Sequence, residues 1–406
     1  MKEYRIVVVG GGLVGLSTAL ALFDASPRAS VTVLEKEIAV GRHQSSHNSG
    51  VLHAGLAYRA GSQKARLARR GIRTMVEYCQ HHGIAHDVCG KLVLATDSSQ
   101  MALLHATLEQ GRANGLRGLR LLEPDQVREM EPHARCVAAL HVPEEGIADF
   151  PSVCRALEGD VLAAGGRILT GEELRAITRR NGVWYLETGR GTMEADYLVN
   201  CAGLHADRVL EMTGVRSPAR IVPFRGEYYR LRQDREGLVR NLIYPLPEPG
   251  FPFLGVHFTR RITGGIEAGP NAVLATAREG YRRSDVRLAD LAESMTFPGL
   301  WRFAARHPRM VARELGQSLS KHRFLTSLRR LVPEVAADDL VEGGAGVRAQ
   351  AMLPTGELVH DFLWVEGRGA LHAINVPSPA ATASISIGQE IAGRAAAALA
   401  LVAPAG

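Results

Sequence analysis

The most specific chemical signal in the chain is the spacing Gly10-x-Gly12-x-x-Gly15. In that pattern the first glycine makes a tight turn, the second lets backbone N–H groups approach a pyrophosphate, and the third permits close packing of helix on strand. Leu13 and Val14 then open the helix, whose N-terminus favours an anion. Glu35 follows 20 residues after Gly15, where a carboxylate accepts both hydroxyls of a ribose and would repel a 2′-phosphate. The reading is a dinucleotide other than NADP, with Lys36 a further candidate contact. The stretch from His43 to Gly55 is dense in small and hydrogen-bonding residues, and His43, Ser45, Asn48, Ser49, Gly50 and Val51 are its candidate contacts. An apolar run, Tyr197 to Asn200, ends in Cys201, Ala202 and Gly203, small residues suited to a return beside a bound ligand. Two further small-residue loops carry Gly346 with Arg348, and Pro379, Ala380, Ala381 and Thr382. Four such loops, far apart in sequence, imply one extended cradle.

These loops need elements to hold them. Arg5 to Val9 is a short apolar run, Leu13 to Ala25 has helical apolar spacing, and Val31 to Leu34 reads as a second strand. That is a β-α-β unit at the start of the chain. From Thr74 to Thr170, helix-like stretches alternate with Pro and Gly punctuation, as expected of a partly separate second domain. Period-2 alternation through Ile221 to Leu231 and Ile243 to Thr263 predicts antiparallel strands. An arginine-rich helical region is expected from Ala277 to Leu331, and one helix from Ile385 to Val402, closing on Pro404.

With 406 residues, 46% of them hydrophobic, the chain can bury a core large enough for two domains. Its net charge of +6 is dispersed rather than gathered in a tail, which argues against nucleic acid and for an anionic substrate or surface. The cysteines, Cys79, Cys89, Cys136, Cys154 and Cys201, are odd in number without C-x-x-C spacing, so neither a disulfide framework nor a zinc site is expected. A reducing cytoplasm fits. His81, His82 and His86 lack a partner at helical spacing, and no metal is expected there. The start shows no charged-then-apolar leader, and no apolar run approaches the ~20 residues of a membrane span.

Taken together, Val7 to Gly15, Leu34 to Gly55, Cys201 to Leu204, Ile221 to Gly226, Phe251 to Thr259, Gly269 to Leu274, Gly346 to Ala351 and Pro377 to Thr382 resemble the L-2-hydroxyglutarate dehydrogenase/oxidase family. That family lies within the D-amino-acid-oxidase-like FAD enzymes. The resemblance covers nearly the whole chain; Ser45-Ser46 and Arg261 to Gly264 depart from it and affect loop shape only. It implies an α/β chain: an FAD-binding Rossmann-like domain of glutathione-reductase type, with an α+β substrate domain on a mainly antiparallel sheet. The expected division is 1–85, 145–215 and 340–406 for the FAD domain, against 86–144 and 216–339 for the substrate domain.

The implied reaction passes hydride from C2 of a small dicarboxylate 2-hydroxy acid to non-covalently held FAD while a base takes the hydroxyl proton. The resemblance places His53 and His257 near the flavin, one as base and one as hydrogen-bond donor, and gives Arg348 the α-carboxylate, which a guanidinium grips bidentately. Arg59, Lys91, Arg225 and Tyr244 are candidates for the distal carboxylate; Arg225 alternatively supports the sheet. An amino-acid oxidase of the same fold and a non-catalytic flavin module are the competing readings. The electron acceptor, quinone or O2, stays open. So does the arginine-rich region from Tyr281 to Leu331: its Phe297, Leu300, Trp301, Phe303, Met310 and Phe324 either form the core of a helical bundle or, with the arginines, a face for peripheral contact with the membrane's inner surface.

Overall fold

The computed structural model describes residues 4–247 and 254–402. Phe251 to Phe253 and Pro404, which figured in the sequence reading, lie outside the described residues.

Tyr4–Val9 is flanked on one side by Ala29–Leu34 and on the other by Tyr197–Asn200, all parallel. Arg167–Leu169 and Ala370–Asn375 extend this core in parallel, and Leu363–Gly367 closes one edge as an antiparallel hairpin. Side chains alternate faces along the central strand, and both faces are covered. Ile6 and Val8 pack with Leu22, Ile387 and Ile391 of the helices Leu13–Ala25 and Ser384–Val402. Val7 and Val9 pack with Ile177, Trp184 and Leu186 of an antiparallel meander, Leu174–Arg180, Val183–Thr188 and Gly191–Ala195. This double burial explains why the first strand reads as unbroken apolar sequence rather than alternation.

The second layer is, among the described residues, a nine-stranded sheet. Arg220–Leu231, Leu242–Pro245, His257–Arg260, Ile266–Gly269 and Val273–Leu274 form its one side, and Lys91–Ala95, Ala138–Val142 and Arg120–Leu122 the other. Lys91–Ala95 joins the halves, parallel to Leu242–Pro245 and antiparallel to Ala138–Val142.

Two expectations shift. Leu340–Met352, expected within the terminal FAD-domain segment, pairs along Arg220–Leu231 from Arg220↔Met352 to Leu231↔Leu340, burying Val347, Ala351 and Met352 in the second layer. The helical region begins at Leu288 rather than Ala277, with helices Leu288–Met295, Pro298–Arg306, Pro308–Leu319 and Lys321–Leu328. Residues 277–287 form an irregular strap instead, from which Arg278 reaches inward to buried acceptors. Arg278 is 2% exposed, and its guanidinium donates to both carboxylate oxygens of Asp207, to the Leu204 carbonyl and to Glu293.

Candidate active site

A cavity of about 760 Å³ runs between the two sheets. Its wall at one end is the glycine turn. Gly10 has φ +106°, and a Cβ there would lie 2.5 Å from the Cys201 carbonyl oxygen; a Cβ on Gly15 would lie 1.9 Å from the Gly10 carbonyl oxygen. Only glycine lets strand, turn and helix meet this closely. Gly12 caps Leu13–Ala25 without a side-chain acceptor, and Ser45 Oγ accepts the Leu13 N–H at 3.0 Å. Glu35 is buried and accepts the N–H groups of Gly11, at 2.8 Å, and Glu37, at 2.9 Å, which hold its carboxylate against the cavity.

The polar loop is tied locally. Asn48 donates to the Gln44 and Ser45 carbonyls and accepts the Gly50 N–H, fixing the turn that leads into Val51–Leu52. His47 stacks on Tyr281 with centroids 4.0 Å apart. Lys36 pairs with Glu37 and with Glu279, which His205 also contacts at 2.8 Å. Burial opposes ionisation of Glu279, yet His205 and Lys36 hold it far below the usual carboxylate range. Glu37, His43 and Glu279 have a metal-like arrangement, but the Lys36 ammonium sits among them, 2.9 Å from His43 Nε2, and makes this an ion-pair network.

At the other end the cavity wall carries His53, Lys91, Tyr244, His257 and Arg348. Tyr244 and His257 stack with centroids 3.8 Å apart, the Lys91 ammonium lies 5.0 Å from the Tyr244 ring, and His53 meets that ring edge-on at 6.4 Å. His257 Nδ1 is 2.9 Å from the Gly255 carbonyl, which makes it the N–H donor and leaves Nε2 as acceptor. Burial, with Arg348, Lys91 and His53 nearby, pushes His257 down to about 3, so it is neutral. Arg348 Nη1 donates to the Asn271 carbonyl at 3.1 Å, and burial lowers the guanidinium's pKa.

Two candidates are not brought to the cavity. Arg225 sits on Arg220–Leu231, where Gly226 and Tyr228 face the cavity; alternation turns Arg225 to the opposite face, where it bonds Glu227 and the Arg282 carbonyl. Arg59 is exposed on the loop before the helix Gln63–His81 and does not line the cavity. Gly15 and Gly50 also do not line it; they shape the turns that do. Conversely, sequence reasoning passed over Tyr58, Lys64, Glu145 and Tyr228, all on the wall. Lys64 lies 4.5 Å from the Tyr58 ring, and burial pushes its ammonium down to about 8. Glu145 is 1% exposed, contacts the Lys91 ammonium, and lies 3.5 Å from His53 Nδ1. Burial opposes its charge, but Lys91 and His53 hold it at about 2.

A helix N-terminus, a ribose-type carboxylate and a long cavity ending between two imidazoles and a guanidinium define an oxidoreductase built around an extended dinucleotide. The model of the family described as FAD dependent oxidoreductase (DAO) matches residues 5–394. The chain is 44% identical to the L-2-hydroxyglutarate dehydrogenase of Indibacter alkaliphilus, over 95% of this chain and 97% of that one. It is 41% identical to that of Escherichia coli K12 (96% and 92%) and 40% to the mitochondrial one of Homo sapiens (96% and 88%). An FAD-bound L-α-glycerophosphate oxidase from Mycoplasma pneumoniae shares the fold with TM-score 0.78 at 18% identity, covering 98% and 95% of the two chains. The chain belongs to the DAO family of FAD-dependent oxidoreductases. Its glycine turn, Glu35 carboxylate and Leu13 helix start fit that cofactor.

Proposed function

We propose that this protein oxidises L-2-hydroxyglutarate to 2-oxoglutarate. The observation that carries the reading is the 44% identity, over 95% of the chain, to a protein named for that reaction. FAD, held without a covalent bond, supplies the hydride acceptor for C2. The nearby Cys201 thiol, pushed up to about 12 by burial, is a poor nucleophile toward it.

The chain's own residues do the rest. Arg348 grips the α-carboxylate; Lys91, Tyr244 and Lys64 line the remaining wall for the distal one. Proton removal needs a base whose cation can be tolerated. His257 does not offer this, because burial and neighbouring cations oppose its charge; with Nδ1–H fixed on Gly255 it orients the hydroxyl through Nε2. His53 is then the base.

The test is a purified yellow protein mixed anaerobically with a substrate panel. L-2-hydroxyglutarate should bleach the flavin, and D-2-hydroxyglutarate and glycine should not. Bleaching by glycine would instead support the amino-acid oxidase reading, and no bleaching by any would support a non-catalytic module. The electrons pass onward to quinone or O2. We place the protein in the cytoplasm, with peripheral contact at the inner membrane face where quinone is the acceptor.

A further inference from the structure

His53 and Glu145 meet because of strand register. Val51–Leu52 pairs antiparallel with Gly146–Ala148, with Val51 opposite Ile147 and Leu52 opposite Gly146. One step further along that ladder sets His53 opposite Glu145. Lys91 arrives from the adjoining ladder, where it pairs with Val142, three residues before Glu145. His53 and Glu145 thus each stand one residue beyond a short ladder and Lys91 stands at the start of its strand, so the ends of two ladders bring the three groups together.

The carboxylate is held from both sides. Glu145 Oε1 accepts the Ala54 N–H at 3.1 Å, so it is tied to the peptide that follows His53. Oε2 faces the Lys91 ammonium and, at 3.5 Å, His53 Nδ1. At 1% exposure no bulk water competes for these positions.

We infer that Glu145 is the positioning residue of the base: it keeps the proton of neutral His53 on Nδ1, so that Nε2 presents its lone pair to the substrate hydroxyl. The inference rests on the proposed oxidation of a 2-hydroxy acid. In the step, the substrate O–H bond breaks as an N–H bond forms at Nε2, C2 gives its hydrogen with the electron pair to FAD, and the C2–O bond becomes a carbonyl. His53 becomes an imidazolium, and the carboxylate beside Nδ1 is its counter-charge. Lys91 balances that carboxylate before the proton moves, so the resting wall does not repel a dianionic substrate.

Glu145→Gln tests this in the holoenzyme. The amide still accepts from Ala54, but its NH2 turns toward Nδ1 and favours the other tautomer. Flavin reduction by L-2-hydroxyglutarate should slow by about 10²-fold or more, the range of general-base catalysis. KM, FAD content and the spectral change on adding 2-oxoglutarate should stay within about threefold of wild type on the same scale of effect. Histidine 15N resonances, with that of His53 assigned through His53→Asn, should move from the Nδ1–H to the Nε2–H tautomer. Glu145→Asp, which keeps the charge, should recover at least tenfold of the lost rate and serves alone if the Gln variant does not fold. Reduction within threefold of wild type, or a raised KM with unchanged kcat, would overturn the inference. If the wild type is not reduced by L-2-hydroxyglutarate at all, the substrate reading fails, and the tautomer measurement still decides the role of Glu145.

Discussion

Arg348 is held for a directed contact with whatever enters the cavity. Its guanidinium is anchored by one N–H on the Asn271 carbonyl and faces the cavity from a strand, so its fork has a fixed direction. Arg348→Lys replaces the fork with a point charge and should weaken substrate binding by about 2–3 kcal/mol, a charge-assisted bond's worth. KM should rise on the order of 30- to 150-fold with the flavin spectrum nearly unchanged; steady-state kinetics that leave KM unaltered would move the clamp to another cation. At this scale the glycine turn and Glu35 were legible because their spacing is itself the mechanism. Glu145 was not. It stands beside Glu144, and nothing in the pair tells which faces inward; the fold sends Glu144 to Arg69 and the Arg117 N–H and Glu145 to Lys91 and His53. Arg225 was left between the distal carboxylate and the sheet for a similar reason, since residue type is visible in a sequence but the face of a strand is set by its partners.

At the scale of elements, the sequence showed the β-α-β start, the long strand from Ile221 and the last helix clearly, because each is a regular apolar pattern longer than its surroundings. The strap at 277–287 was missed because arginines spaced along a polar stretch read as a solvated helix, whereas Arg278 is among the most buried large side chains. It joins the second layer to the helix Ala206–Met212 of the first through Asp207, which also accepts the Ile221 N–H and the Arg208 N–H, each at 2.9 Å. Arg278→Met would leave the Asp207 carboxylate buried without its main counter-charge. A loss of about 3–5 kcal/mol is expected from breaking one partner out of such a pair. Thermal melts of the holoenzyme should show the drop, and Asp207→Asn combined with Arg278→Met should restore part of it. A melting temperature unchanged by Arg278→Met would mean that solvent reaches the Asp207 carboxylate despite its burial.

For the whole molecule, the question is where the electrons leave. No helix among the described residues is long and apolar enough to cross a membrane, so contact with a lipid-borne acceptor would be made from the side. Five of the six apolar residues considered for such a face are buried against the second sheet: Phe297, Leu300, Phe303 and Met310 with Phe224 and Met352, and Phe324 with Leu231 and Phe258. Trp301 remains 54% exposed, close in sequence to the exposed Arg302, Arg306 and Arg309. A face of this kind would bind mainly through charge, each cation near an anionic surface contributing about 1 kcal/mol, with Trp301 as a single interfacial anchor. The expected behaviour is sedimentation with anionic but not neutral vesicles at low salt, release as salt is raised, and weaker binding of Arg302→Glu/Arg306→Glu with flavin reduction intact. Equal partitioning onto both vesicle types, or none at low salt, would point to a protein that hands its electrons to O2 or to a soluble carrier.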